Sequence, residues 1–487
     1  MSESLPSRQA IGLTRVVMFW KLIEYAGLVL FTIVVPRQMG PEGYGRFAVL
    51  YALISLLILI IGFGAHPTFG RFLPEFLTKG ETWKIEVLFT QMFWIRALIA
   101  MVFTGAFLVI LPRLLPSASR FTVLMGAAAF AAAGVGATCY KFFFGMNALG
   151  KWLTYESLPR FLLVALLLLL GGIHDLDRAG VALFVTQATF LFLGLYWTRS
   201  YFTRNEAIYS WETFSWPFRF GVLLYAANLP LLAIWRGGEV VLAYYGVPST
   251  EVAYFSVANT VAFAFAALVG HFTLTTLPSV TAHHVAGNQA QVDGWLGFML
   301  KYLTIAAILF LFSVHAGGAW VVEKLLGARY LPVVPNLELL ALGLLPIALV
   351  RTGITVATVL KTPRSVLWIA MGALGAFALG AVVLVPRYGA HGVSVALASA
   401  VVCAAVITCF QFHLGSVLAV ARFWRLLLLG ILAYGVMVLP FSSAVWEDLL
   451  ATALFVVSLF VARVVSAREL REVVLGFVGA PARTESS

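Results

Sequence analysis

VLYALISLLILIIGFGA, residues 49 to 65, is an apolar run without a charged side chain, and as a helix it nearly crosses the hydrocarbon core of a bilayer. Runs of this kind recur along the whole chain with short polar gaps between them. FLLVALLLLLGGI at 161 to 173, extended upstream by WLTYESLPR, is another. Inside hydrocarbon a backbone has to satisfy its own polar groups, so such runs fold as helices. Composition agrees: 61% of the 487 residues are hydrophobic and 11% are charged, far from the balance of a soluble chain. The expected fold is an all-α polytopic membrane protein, with no stretch long enough to form an independent soluble domain.

The pattern predicts fourteen transmembrane helices, at 12 to 36, 44 to 65, 85 to 111, 121 to 146, 152 to 173, 179 to 198, 218 to 245, 251 to 277, 294 to 316, 335 to 358, 365 to 386, 389 to 412, 423 to 440 and 444 to 465. The first carries Lys21 and Glu24 and has no small-residue cleavage site, so it reads as an uncleaved span. With both termini in the cytoplasm, most of the 32 Lys and Arg fall in or beside inside loops, as the positive-inside rule requires. These include Arg71, Lys79, Lys84, Lys141, Lys151, Arg160, Arg199, Arg204, Arg219, Arg351, Lys361 and Arg364, with Arg463, Arg468, Arg471 and Arg483 in the tail. The formal net charge of +11 is therefore mostly topological and implies no nucleic-acid partner. The tail RVVSARELREVVLGFV suits either a solvated flank or an amphipathic helix on anionic lipid. Cys139, Cys403 and Cys409 sit in apolar runs without metal or redox spacing and read as packing residues.

Fourteen spans invite a search for internal duplication, because many polytopic membrane proteins are built from repeated bundles. YGRFAVLYA (44 to 52) lies on VAYFSVANT (252 to 260), GVALFVTQA (180 to 188) on GVSVALASA (392 to 400), and Pro159-Arg160 on Pro363-Arg364. The separations, 204 to 212 residues, agree closely enough to divide the chain. The expected organisation is a six-helix lobe at 1-205, a second at 206-415, two additional helices at 416-465 and a cytoplasmic tail at 466-487. Because six is even, the lobes share one topology about an axis along the membrane normal, with a central cavity between them.

Charges within spans are the candidate site. One near a helix centre costs about 2.5 to 3.5 kcal/mol on insertion scales, so its presence calls for a function or a partner. Lys21 and Glu24 stand three apart on the first helix; Arg236 and Glu239 stand three apart on the seventh, the first helix of the second lobe. Arg96 is alone in the third. These groups either form structural ion pairs and snorkel, or line the cavity. Pro230 and Gly237-Gly238 interrupt the seventh helix and predict a kink there. Arginines and a lysine facing inward suit an anionic ligand, and a phosphate-bearing lipid is the natural one in a membrane. Glu24 and Glu239 have a second reading, as sites for a coupling proton or cation.

Other chemistries lack their residues. No phosphate-binding glycine loop precedes a helix, and His283-His284, adjacent in a cytoplasmic loop, do not make a metal site, so neither cofactor nor metal is expected. A membrane glycosyltransferase would need carboxylates on a sizeable outside loop. Asp175, Asp177, Glu447 and Asp448 sit in short turns and read as helix caps, so the chain is expected not to be an enzyme.

RQMGPEGYGRFAVL after a first helix, then FGRFLPEFLTKGE, together resemble the Wzx-type polysaccharide biosynthesis proteins of the multidrug/oligosaccharidyl-lipid/polysaccharide exporter superfamily. EKLLGARYLPVVPNLELLALGLLP, VLKTPRS and VPRYGAHGVSVALASAV resemble later segments of that family in order and spacing, so the likeness covers essentially the whole chain. It implies a flippase in the inner (cytoplasmic) membrane that moves a polyprenyl-pyrophosphate-linked oligosaccharide to the outer leaflet by alternating access, for surface polysaccharide biosynthesis. Membrane lipids and a polysaccharide polymerase with its chain-length machinery are the implied partners. By the family's pattern, basic cavity residues hold the pyrophosphate; Lys21, Arg96 and Arg236 are the candidates, with Arg46 and Arg71 at the cavity mouths. The seventh helix of the family often bears an Asp where this chain reads WRGGE, a departure that bears on ion coupling. A drug or cation antiporter of the same superfamily is the alternative function, and a glycosyltransferase or polymerase a third.

Overall fold

The computed structural model describes residues 8 to 465 apart from 203–210, 361, 439–444 and 463, and the described residues form helices joined by short turns. The expected tail at 466–487 lies outside them. In chain order the helices are α1 (Arg8–Ile60), α2 (Ala65–Thr78), α3 (Thr82–Leu114), α4 (Arg120–Gly145), α5 (Leu149–Leu169), α6 (Leu176–Thr198), α7 (Trp211–Tyr244) and α8 (Ser249–Val285). There follow α9 (Gln289–Leu326), α10 (Val333–Leu344), α11 (Ile347–Val359), α12 (Pro363–Phe412), α13 (Gly415–Val420), α14 (Phe423–Val438) and α15 (Val445–Val461).

Two of these are hairpins in disguise. In α1 the helical path breaks at Gly40, with φ 70° and ψ 170°, and in α12 at Gly389, with φ 52° and ψ −124°. A side chain at positive φ is strained, so glycine is what lets two spans meet in so tight a turn. Pro36 and Pro41 flank the first break, and Pro386 precedes the second. Conversely α10 and α11 are the halves of one span, bent by 41° at Leu345-Pro346. Counted in this way among the described residues, the chain is a multi-pass membrane protein with fourteen apolar passages, and their order is the expected one.

Three expectations change. The stretch after the second passage is not a loop: Gly64, left-handed at φ 70°, starts α2, whose apolar face of Phe69, Phe72, Leu73 and Phe76 is buried. His283 and His284 lie in the last turn of α8, because no residue ends that helix before Gly287 at φ 72°. Lys141, Arg160 and Arg351, counted with the inside loops, lie within α4, α5 and α11.

The turns fall on two faces. One, the hairpin face, carries Gly40, Gly171, Gly246, Gly327 and Gly389; the other, the basic face, carries α2 and the turns after α4, α6, α8 and α11. Within the first six passages α4 packs on α6 and α3, and α1 on α5; among the next six α12 packs on α7, α10 and α11. α1 also lies along α8 and α7, so it is the seam between the first six passages and the next six, called the two halves below. At the hairpin face, Asp175 caps α6 by accepting from the Asp177 amide at 3.0 Å, and Asp177 accepts from Ser119 and Thr122.

Candidate functional site

Along the seam, at mid-depth, α1, α5, α7 and α8 line a cavity of about 100 Å³, room for several waters. Its charged lining comprises Glu24, Arg160, Arg236 and Glu239. Aromatic walls come from both halves, including Phe31, Tyr51, Trp235 and Phe263. The Arg236 guanidinium carbon sits 4.5 Å from the centroid of the Phe263 ring, a cation–π stack that holds a charge in an otherwise apolar wall. Glu239 is only 6% exposed and accepts from Asn259 Nδ2 at 3.4 Å. Asn259 also donates to the Trp235 carbonyl at 2.9 Å, which ties α8 to the Arg236 segment of α7.

A network fills the end of the cavity nearest the N-terminus. Lys21 Nζ contacts Glu24 at 2.8 Å and Glu156 at 2.9 Å, and Arg160 Nη1 reaches Glu24 at 3.5 Å. Lys21 also lies 5.9 Å from the centroid of Trp152. Two acids and two bases thus alternate between α1 and α5. Neither Glu156 nor Arg160 is among the residues expected at the site, although both fall in the predicted span at 152 to 173. Their spacing of four in YESLPR, which puts both on one helical face, is the signal that finds them.

Of the seven residues expected at the site, Glu24, Arg236 and Glu239 line the cavity, and Lys21 adjoins it through Glu24. The other three lie elsewhere. Arg96 is fully buried within the first half, donating to the carbonyls of Gly62 at 3.0 Å and Gly134 at 3.1 Å. Arg46 is exposed and paired with Glu42 one turn before it. Arg71 is exposed on α2, 2.9 Å from Glu75, which Lys79 contacts at 2.7 Å. The hydrogen bond from Lys79, and then the charge of Arg71, hold the Glu75 carboxyl below the usual carboxylate range. Arg37, at the opening hairpin, donates to the Leu325 carbonyl at 3.4 Å across the seam.

The cavity is shut at both ends by backbone contact between the halves. Toward the hairpin face, a Cβ on Gly45 would stand 1.7 Å from the Ser249 carbonyl oxygen, so α1 touches the start of α8 directly. Tyr330 donates to the Pro36 carbonyl at 2.8 Å beside it. Toward the basic face, a Cβ on Gly64 would stand 2.1 Å from the Gly221 carbonyl carbon, Tyr225 donates to Leu59 at 2.5 Å, and Thr68 to Pro217 at 3.2 Å. α7 passes through Pro217, Pro230 and Gly237-Gly238 as one helix. Its Gly238 serves packing, since a Cβ there would meet the Phe255 ring at 2.4 Å.

Beside the cavity lies an apolar groove of about 340 Å³ between α1, α8, α9 and α10. Leu28, Thr260 and Ala264 line both spaces, so a polar chamber and a hydrocarbon-like one share a wall.

Residues 9–283, more than half of the chain, match the model of a family described as polysaccharide biosynthesis protein. The chain belongs to that family. No curated protein matches it by sequence. Among solved structures, the fold is similar to "Lipid II flippase MurJ, inward closed conformation", with a TM-score of 0.68 and 12% identity over 91% of this chain and 97% of that one. An inward-facing multidrug resistance MATE family transporter of the MOP superfamily follows at TM-score 0.63 and 12% identity, covering 80% of this chain and 94% of that one. A point mutant of the Vibrio cholerae MATE transporter VcmN gives 0.55 at 14% identity, covering 81% and 94%. At such identities the likeness is one of fold.

Proposed function

We propose that this member of the polysaccharide biosynthesis protein family is a flippase, which moves a lipid-linked oligosaccharide from the cytoplasmic to the outer leaflet by alternating access. The shared wall between the charged cavity and the apolar groove carries this reading. A polyprenyl diphosphate glycan has a charged head and a long hydrocarbon tail, and it needs two such spaces side by side. Arg160 and Arg236 offer planar forks suited to phosphate oxygens, while aromatic walls suit sugar faces. One of the solved proteins of similar fold, MurJ, is a lipid II flippase.

The chamber as it stands is too small for such a head. The cycle therefore requires the halves, residues 1-205 and 206-415 in this reading, to part at one end while the other stays shut. The contacts at Gly45 and Gly64 are the two seals. The basic face is the cytoplasmic one by the positive-inside bias, and the membrane is the inner one. No bond is made or broken, so the chain works as a transporter and not as a catalyst.

Arg236→Ala is expected to leave the protein in the membrane but to abolish the appearance of the glycan at the surface of cells that have this chain alone for the task. Normal surface glycan in that variant would overturn the assignment. One observation favours the drug or cation antiporter: Glu239, nearly buried in the cavity wall, would suit a cationic cargo. That function predicts that cells without the chain accumulate cationic drugs while their surface glycan is unchanged.

A further inference from the structure

The two halves end differently at the basic face, and their helix ends set the register for comparing them. α2 ends at Thr78 and α3 begins at Thr82, while α8 ends at Val285 and α9 begins at Gln289, 207 residues later in both cases. α4 ends at Gly145 and α5 begins at Leu149; α11 ends at Val359 and α12 begins at Pro363, 214 residues later in both cases. GVALFVTQA in α6 lies on GVSVALASA in α12 at a separation of 212. Phe89, Phe142, Tyr201 and Phe202 of the first half then answer to Leu296, Val356, His413 and Leu414 of the second.

In the first half these four rings form one plug. The Phe89 centroid lies 4.5 Å from that of Phe142 and 5.1 Å from that of Phe202, and Phe142 lies 4.8 Å from Tyr201. In the second half all four counterparts line a cleft of about 320 Å³. The remaining walls are alike: Leu73 and Ile85 answer to Val280 and Val292, which also line the cleft. One half is therefore filled with rings where the other carries smaller side chains around open space. Its polar lining includes His284, Asp293 and Gln411 beside His413. Asp293 accepts from Gln289 Nε2 at 2.8 Å. Gln411 is half-buried, and its amide oxygen lies out of contact with solvent and without a hydrogen-bond partner among the described residues.

Close packing is the rule in protein interiors, and a space of this size falls at the small end of those that hold ligands. Rings fill the same place in the first half, so a flat ring with apolar faces fits the second. The unpartnered amide oxygen adds a requirement, because a buried acceptor is costly until it meets a donor. The last torsion of a glutamine side chain is broad, so the amide can turn its oxygen and nitrogen toward a ring edge. An edge with a donor beside an acceptor meets both, which is how glutamine pairs with adenine. The Asp293 carboxylate and the imidazoles of His284 and His413 suit ribose hydroxyls. We propose that this cleft binds an adenine nucleoside, entering from the basic face. It shares no lining residue with the cavity of Arg236, and the inference stands independently of the transport reading.

Calorimetry on the full chain in nanodiscs of zwitterionic lipid tests this with adenosine and with AMP, which distinguishes a free nucleoside from a nucleotide as the source of the ring. Saturable binding of either is expected, with ribose silent and the dimethylamino analogue of adenosine, which lacks the donor, weaker by about tenfold or more. Gln411→Ala should weaken adenosine to a similar degree. Leu296→Phe and Val356→Phe, which restore rings found in the first half, should abolish binding without lowering the thermal midpoint. Arg236→Ala should leave binding unchanged, so this site and the flippase reading fail separately. Absence of saturable binding to the wild-type chain, or ribose binding as tightly as adenosine, would overturn the proposal. So would unchanged affinity in both phenylalanine variants. Should those two variants fail to fold, Gln411→Ala decides alone, and wild-type affinity in it would overturn the site.

Discussion

Arg96 and Arg236 look alike in the sequence, each an arginine within an apolar span, yet the fold gives them different surroundings. Arg96 has no exposed surface and spends two of its nitrogens on backbone carbonyls of Gly62 and Gly134, which joins the end of α1 to α4. Removing it takes away both bonds and leaves a void where the buried guanidinium packed. Arg96→Ala is expected to cost about 3 kcal/mol, the scale of hydrogen bonds from a charged group together with the void left by a large buried side chain. The check is a lower thermal midpoint of the purified protein, against Arg46→Ala, whose exposed pair with Glu42 should leave it within about a degree or two. Equal midpoints for the two variants would refute the structural role of Arg96.

At the scale of elements, the α1 hairpin explains why RQMGPEGYGRF is punctuated as it is. Gly40 supplies the positive φ, Glu42 holds Arg46, and Gly45 gives up its side chain so that α1 can touch Ser249. Gly45→Leu is therefore expected to hold the hairpin-face seal open. A cysteine at Ser55, in the cavity lining, should then react with an impermeant thiol reagent applied from that side. Gly43→Leu is the control, because a Cβ there meets only Met39 of its own helix, at 3.5 Å. If both leucine variants leave the cysteine equally protected, Gly45 is not the seal.

For the whole molecule, orientation follows from charge, and it can be read directly. In a background without Cys139, Cys403 and Cys409, a cysteine at Arg46 should label from outside intact cells, and one at Lys79 only after the cytoplasm is opened. The reverse pattern would invert the transport direction proposed above. The same scale holds the hidden part of the site. The passages were legible because hydropathy is written residue by residue, and their number survives even where a helix bends through Gly40 or Gly389. The ion network was half legible. Lys21 with Glu24 is a local spacing, but Glu156 and Arg160 join it from α5, more than a hundred residues away, and only packing sets that distance.

By itself the sequence determined that this chain inserts as about fourteen helices, which face of the membrane its charges favour, and which few ionisable groups must be accounted for. Those properties follow from transfer energies summed along one strand of chain, and no fold is needed to evaluate them. Tertiary structure decided which charge does what. It sent Arg96 to the interior of one half, kept Arg46 and Arg71 at the surface, and brought Glu24, Arg160, Arg236 and Glu239 around one chamber. The reason is that a charge in hydrocarbon acquires its role from its partner, and partners on different helices are chosen by how those helices pack.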